Sequence, residues 1–268
     1  MPLCSAVARS RRSLLVLAAL AAAPAVTRAE TLACRFEAGV VVVPAEAAGV
    51  IGDFILDTGT AQTTLDKTRA ASQGPVEPGQ VDRVRVAGVE VMGIPIAVQD
   101  LDARTWNLPT PAAGVIGADV LRGFVLDLSF APCRVTLFAP GRAPAFRGTA
   151  LAITWDEGRP TVPATVSDGG RELSGPFMVA TGANAPVRLA DDLAQAPGLS
   201  RPNEVYPDGV WLARLDALTL AGVRQRDLGA GLMKPQGEAA GVIGGTALAR
   251  FRLRFDFPAG RLIVAPGR

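Results

Sequence analysis

Histidine is absent from the 268 residues. With it go Ser-His-Asp and Cys-His nucleophile systems, histidine-ligated zinc and any imidazole proton shuttle near neutral pH. Acid–base chemistry in this chain falls to carboxylates. Lysine is almost missing too, Lys67 and Lys234 being the two present. The arginines are scattered and no stripe of basic and aromatic residues exists, so nothing supports nucleic-acid binding. Charged residues are 19% and aromatics 5%, while 49% are hydrophobic. That balance marks a core-forming globular chain and excludes a disordered or fibrous one. No apolar run reaches the roughly 20 residues of a membrane-spanning helix. With 29 glycines and 21 prolines, long helices are few, and strands and turns are expected to dominate.

The first thirty residues read as an export segment. Arg11-Arg12 precede an apolar run from Leu14 to Val26, and Thr27-Arg28-Ala29 offers a small-x-small cleavage site before Glu30. The run is short for a span and is interrupted by Pro24. The paired arginines also resemble a twin-arginine signal, leaving that route and the general secretory one open. Removing residues 1–29 takes four arginines and no acids, so 23 basic residues face 25 acidic ones in the remainder. A periplasmic or secreted protein is expected, with no membrane span after signal removal. Cys4 leaves with the signal, whereas Cys34 and Cys133 remain in an oxidising compartment. They can close a disulfide or stay two buried small hydrophobes, and sequence leaves both open.

An internal repeat organises the rest. Gly114-Val115-Ile116-Gly117 recurs as Gly241-Val242-Ile243-Gly244, and Leu121, Phe124, Leu126, Phe130 and Arg134 recur at the same offset as Leu248, Phe251, Leu253, Phe257 and Arg261. Phe54-Ile55-Leu56-Asp57-Thr58-Gly59 is echoed by Phe177-Met178-Val179-Ala180-Thr181-Gly182. The chain therefore divides into residues 1–29, a first lobe 30–143 and a second lobe 144–268, the boundary lying where Pro140, Gly141 and Pro144 break the apolar pattern. Strand-like runs fill the first half: Val40 to Val43, Ile51 to Leu56, Val81 to Val86 and Val89 to Val98. Hairpins are expected around Ala131-Pro132 and before Arg261, short helices after Gly117 and Gly244, and one further helix over 190–196.

An apolar strand ending in Asp-Thr-Gly sets a carboxylate in a tight turn where backbone amides can donate to it. With the later Val115-Ile116-Gly117 and the duplication of both motifs, Phe54–Thr60 resembles the pepsin and retropepsin family of aspartic peptidases, over nearly all of residues 31–268. The resemblance implies an all-β fold of two barrel lobes related by a pseudo-twofold axis, with a cleft between them. It implies a catalytic role for Asp57 in a turn supported by Thr58, Gly59, Thr60, Thr181 and Gly182. In that family the two lobes each give one aspartate. One activates a water while the other, kept protonated, donates to the scissile carbonyl. Here the second aspartate position is Ala180.

A lone carboxylate can orient water but cannot supply the proton. Two readings follow: an aspartic endopeptidase acting on extended polypeptide through Asp57 with a second acid from elsewhere, or an inactive pseudoprotease that binds peptide. A homodimer pairing two copies of Asp57 could restore the dyad, but the second lobe should occupy that surface, so a monomer is expected. The family's flap is sought in Val205–Trp211, where Pro207-Asp208-Gly209 makes a turn and Tyr206 and Trp211 could close over a ligand or simply cover core. Gln73–Gln80 reads as a loop. Asp127 and Asp256 sit late in strands and read as satisfied by arginines or solvent. The Asp100 and Asp102 pair lacks regular oxygen-ligand spacing and reads as a solvated loop, so no metal or cofactor is expected.

Overall fold

The computed structural model describes residues 1, 29–72, 76–170, 172–190, 204–205, 210–211, 213–233 and 237–267. Residues 2–28 of the export segment lie outside these, as do 73–75 of the expected loop and all but Ala190 of the helix expected over 190–196. Ala190 itself ends the strand Val187–Ala190.

The chain is mostly strand, in two barrel-like sheets and a third that joins them. An eight-stranded sheet uses only residues 35–116, and a seven-stranded one only residues 154–244. In the second, Arg159–Ser167 also pairs with Ala213–Leu220 and closes the ring. The apolar runs are buried as continuous stretches: all four valines of Val40 to Val43 are buried at the start of the strand Val40–Ala47, and Phe54, Ile55 and Leu56 are buried at the end of Val50–Leu56.

The repeat is visible as one motif used twice. Phe54, Ile55 and Leu56 pair in parallel with Gly114, Val115 and Ile116, and Phe177–Ala180 pair in parallel with Gly241–Gly244. On its other side the glycine strand runs antiparallel to Thr64-Leu65 in the first lobe and to Val187–Leu189 in the second. Three strands drawn together so closely leave no space at the first glycine. A Cβ on Gly114 would sit 2.3 Å from the Thr64 carbonyl oxygen, and one on Gly241 would sit 2.3 Å from that of Arg188. This is the physical reason the motif opens on glycine in both halves. Phe54 and Phe177 fill equivalent, fully buried places beside it.

The third sheet has six strands and belongs to both halves. The hairpin Val125–Phe130/Cys133–Phe138 lies against its repeat, Phe251–Asp256/Arg261–Pro266, through the register Val125↔Asp256 to Leu128↔Leu253. Across that seam Arg254, 5% exposed, grips Asp127 with two parallel bonds of 2.6 and 2.7 Å. Phe146 stacks under the same guanidinium at 4.7 Å. Asp256 accepts from Arg261. Of the two states sequence left open for the cysteines, the structure takes the bridge: Cys34 and Cys133 are joined with Cα atoms 5.0 Å apart, tying the start of the first lobe to this sheet.

Candidate active-site cleft

Asp57 follows the strand Val50–Leu56, and Thr181 follows Glu172–Ala180; the two turns meet across the pseudo-twofold axis. Their threonines hold each other. Thr58 Oγ1 donates to Val179 O at 2.5 Å and accepts from Thr181 N at 3.3 Å; Thr181 Oγ1 donates to Leu56 O at 2.6 Å and accepts from Thr58 N at 3.1 Å. Both side chains are fully buried, so all four bonds form away from water. The glycines allow the approach. A Cβ on Gly59 would lie 2.4 Å from Ala180 Cβ, and one on Gly182 would lie 2.6 Å from Asp57 Cβ.

The Asp57 carboxylate, in a residue 3% exposed, is held by four donors. Oδ1 accepts from Gly59 N at 2.8 Å and from Gly182 N at 3.0 Å, so amides from both lobes converge on one oxygen. Oδ2 accepts from the Thr60 hydroxyl at 2.7 Å and from Arg104 Nη2. Arg104 Nη1 also donates to Thr60 Oγ1 at 3.1 Å, closing a ring of Asp57, Thr60 and Arg104. Four donors on two oxygens is the arrangement an ionised carboxylate accepts. Arg104 comes from the single helical turn Asp102–Thr105; Asp100, just before it, accepts from Asp102 N at 2.9 Å.

Opposite lies Ala180, 3% exposed and packed in an apolar cluster with Met178 and Val242. The second turn lacks the supporting hydroxyl as well, since Ala183 takes the place that Thr60 has in the first. A cavity of about 360 Å³ opens over both turns. Among its described lining residues Asp57 is the one carboxylate; the charged groups beside it are Arg104 and Arg188. Arg188 Nη2 donates to Asn184 Oδ1 at 3.1 Å. Among the described residues no cluster of acids, cysteines or histidines could hold a metal ion, and no helix is long and apolar enough to cross a membrane.

The structure thus brings together Asp57, Thr58, Gly59, Thr60, Ala180, Thr181 and Gly182. Of the expected flap, Glu204-Val205 and Val210-Trp211 pair as a short hairpin, while Tyr206 and the side chain of Trp211 lie outside the described residues. Sequence reasoning missed Arg104. It lies 47 residues after the carboxylate it pairs with, in a stretch whose acids drew attention instead, and no spacing signals the contact.

No family model matches the chain, and no curated protein matches it by sequence. Among solved structures, it is similar to the crystal structure of an aspartic proteinase from Irpex lacteus. The TM-score is 0.55 at 13% identity, over 90% of this chain and 98% of that one. The likeness shows the fold: a mostly β chain in two barrel-like lobes of the acid-protease type.

Proposed function

We propose that the chain is a peptide-binding protein built on the acid-protease fold that does not hydrolyse what it binds. One observation carries this reading: Arg104 occupies Oδ2 of Asp57, the one carboxylate among the described lining residues of the cleft, while Ala180 stands where a second would be needed. Peptide hydrolysis on such a site requires one group to take a proton from water and another to give one to the carbonyl oxygen or leaving amine. Among the described residues Asp57, saturated by donors, has no partner in the cleft for the second task, and a guanidinium does not release its proton in the working range. The inter-lobe cleft still suits an extended segment held by backbone bonds. The export segment and the Cys34–Cys133 bridge support a place outside the cytoplasm, in the periplasm or beyond.

The peptidase reading keeps one specific support, the fully formed Asp57-Thr58-Gly59-Thr60 turn and its threonine grip. The test is cleavage of an unfolded protein by the purified chain from acidic to neutral pH, beside Asp57→Asn prepared identically, with peptide retention measured in parallel. The expected result is retention without turnover in either. Turnover that disappears in Asp57→Asn overturns the proposal and establishes a peptidase.

A further inference from the structure

The two halves build one hairpin from different residues. In the first, Val86 and Val89 pair around Ala87-Gly88, with φ +48° and +75°; in the second, Leu220 and Val223 pair around Ala221-Gly222, with φ +52° and +78°. The strands leaving these turns therefore correspond, Val91 to Gln225 and Met92 to Arg226, and the offset of the glycine motif matches Gly123 to Arg250. A valine, a methionine and a glycine serve in one lobe where a glutamine and two arginines stand in the other. The scaffold forms without the three polar side chains, so folding does not explain them.

They line one recess of about 630 Å³, between the strand Val223–Met233, the turn after the helix Gly245–Leu248 and the end of the last strand, Arg261–Pro266. Gln225 Nε2 donates to Ala247 O at 3.0 Å, and Gly267 N donates to Arg250 O at 3.0 Å, so both flanking strands are fastened to that turn. The recess shares no lining residue with the cleft. Its described lining holds Arg224, Arg226 and Arg250 and no acid. Arg224 is engaged by Asp216 at 2.8 Å and Glu172 at 3.8 Å. The exposed side chains of Arg226 and Arg250 form no ion pair or hydrogen bond among the described residues. Two guanidinium groups are thus unmatched even with Arg224 discounted. Gln225 has the opposite deficit: the residue is 3% exposed, and its buried Oε1 finds no donor. The arginines call for an anion and the orphan oxygen calls for a donor.

Independently of the cleft, we propose that this recess binds a phosphorylated sugar, its phosphoryl group on Arg226 and Arg250 and a hydroxyl donating to Gln225 Oε1 directly or through one bridging water. A phosphomonoester brings about two negative charges and three acceptor oxygens spread tetrahedrally, so guanidinium groups from two elements can share it. A carboxylate offers one planar pair of oxygens and suits a single fork. Neither anion, once ionised, supplies a donor, and the sugar hydroxyls complete the match. The recess has the volume of an ordinary small-molecule site. A soluble sugar phosphate and a phosphorylated sugar carried on a lipid offer this same chemistry.

The experiment titrates the purified chain calorimetrically with glucose 1-phosphate, inorganic phosphate, glucuronate and glucose, and measures its retention on phosphatidylcholine vesicles carrying either lipid A or phosphatidylglycerol. Glucose 1-phosphate is expected to bind at least tenfold tighter than the other three soluble probes, with an affinity that weakens as salt rises. Arg226→Gln and Arg250→Gln, which break no described contact of those side chains, should each lose at least tenfold at an unchanged melting temperature. Gln225→Leu should bring glucose 1-phosphate down to the level of inorganic phosphate. That variant also loses the bond to Ala247, so its readout is the ratio of the two affinities, and the arginine variants carry the test should it fail to fold. Binding to lipid A vesicles alone, lost in both arginine variants, keeps the inference and assigns the sugar to a lipid. Equal retention on phosphatidylglycerol vesicles shows a general attraction to anionic surfaces and overturns it. So does inorganic phosphate or glucuronate binding as tightly as glucose 1-phosphate, binding unchanged in both arginine variants, or binding of no probe at millimolar concentration. None of these results bears on peptide binding in the cleft.

Discussion

Thr58 and Thr181, 123 residues apart, exchange backbone and hydroxyl bonds across the axis between the lobes, each donating its hydroxyl to a carbonyl on the other's strand. Replacing either by valine keeps the volume and removes the hydroxyl. Thr181→Val would leave Leu56 O and Thr58 N without partners; Thr58→Val would do the same to Val179 O and Thr181 N. Two buried backbone groups left unpaired cost about 2–4 kcal/mol. Each variant is expected to unfold at correspondingly lower urea, with its slope unchanged. A loss below about 1 kcal/mol would show that the grip contributes little to joining the lobes.

Much of this architecture was legible beforehand, because duplication printed it twice. Asp57-Thr58-Gly59 and Gly114–Gly117, with their echoes at 180–182 and 241–244, report local constraints: a tight turn, and strands too close for a side chain. Such constraints act on residues near one another in sequence, so pattern reveals them. The six-stranded sheet was less visible. Its two hairpins could be read separately, but nothing in Val125–Phe130 says that its partner is Phe251–Asp256. Arg104 was not legible at all. A long side chain reaching from one helical turn to a carboxylate in a distant turn leaves no periodic trace. Ala183, by contrast, was available: in the repeat it falls at the place of Thr60, so the second turn lacks the supporting hydroxyl as well as the carboxylate.

The glycine argument separates two costs. Gly241→Ala would set a methyl 2.3 Å from the Arg188 carbonyl oxygen and 3.0 Å from the buried Phe177 ring. Paired strands would have to move apart, and a loss of about 3 kcal/mol or more is expected. Gly222 has φ +78° and open space around its missing side chain. Alanine there meets only the conformational penalty, about 1 kcal/mol. Thermal melts of the two variants should rank in that order. Equal losses would mean that close approach of the strands is not what selects Gly241.

The Cys34–Cys133 bridge closes a loop with a sequence separation of 99 residues. In the chain-entropy account, a loop of that size restrains the unfolded state by about 3–5 kcal/mol. Cys34→Ser is therefore expected to lower stability by that amount, and a reductant should lower that of the parent but leave the variant unchanged. If the reductant destabilises both alike, the bridge is not the source.

Ala180→Asp tests the site most directly. The new carboxylate would enter a position 3% exposed, facing Asp57, when the amides of Gly59 and Gly182 are both already bound to Asp57 Oδ1. Two carboxylates in contact cannot both ionise freely, so the folded pair holds a proton to higher pH than the unfolded chain does. The folded state then binds more protons, and the sign follows: the penalty of the substitution, about 2–3 kcal/mol at neutral pH, shrinks as pH falls toward 5. Urea titrations of variant and parent at the two pH values read that difference. Arg104 would still hold Oδ2 in the single variant, so it should remain inactive. Adding Arg104→Gln frees the oxygen beside a dyad that can share one proton, and cleavage of unfolded protein should appear at acidic pH and vanish with Asp57→Asn. If Ala180→Asp alone restores such cleavage, Arg104 does not block the carboxylate. If the double variant folds and stays inactive, the missing second acid is not all that separates this cleft from a working peptidase.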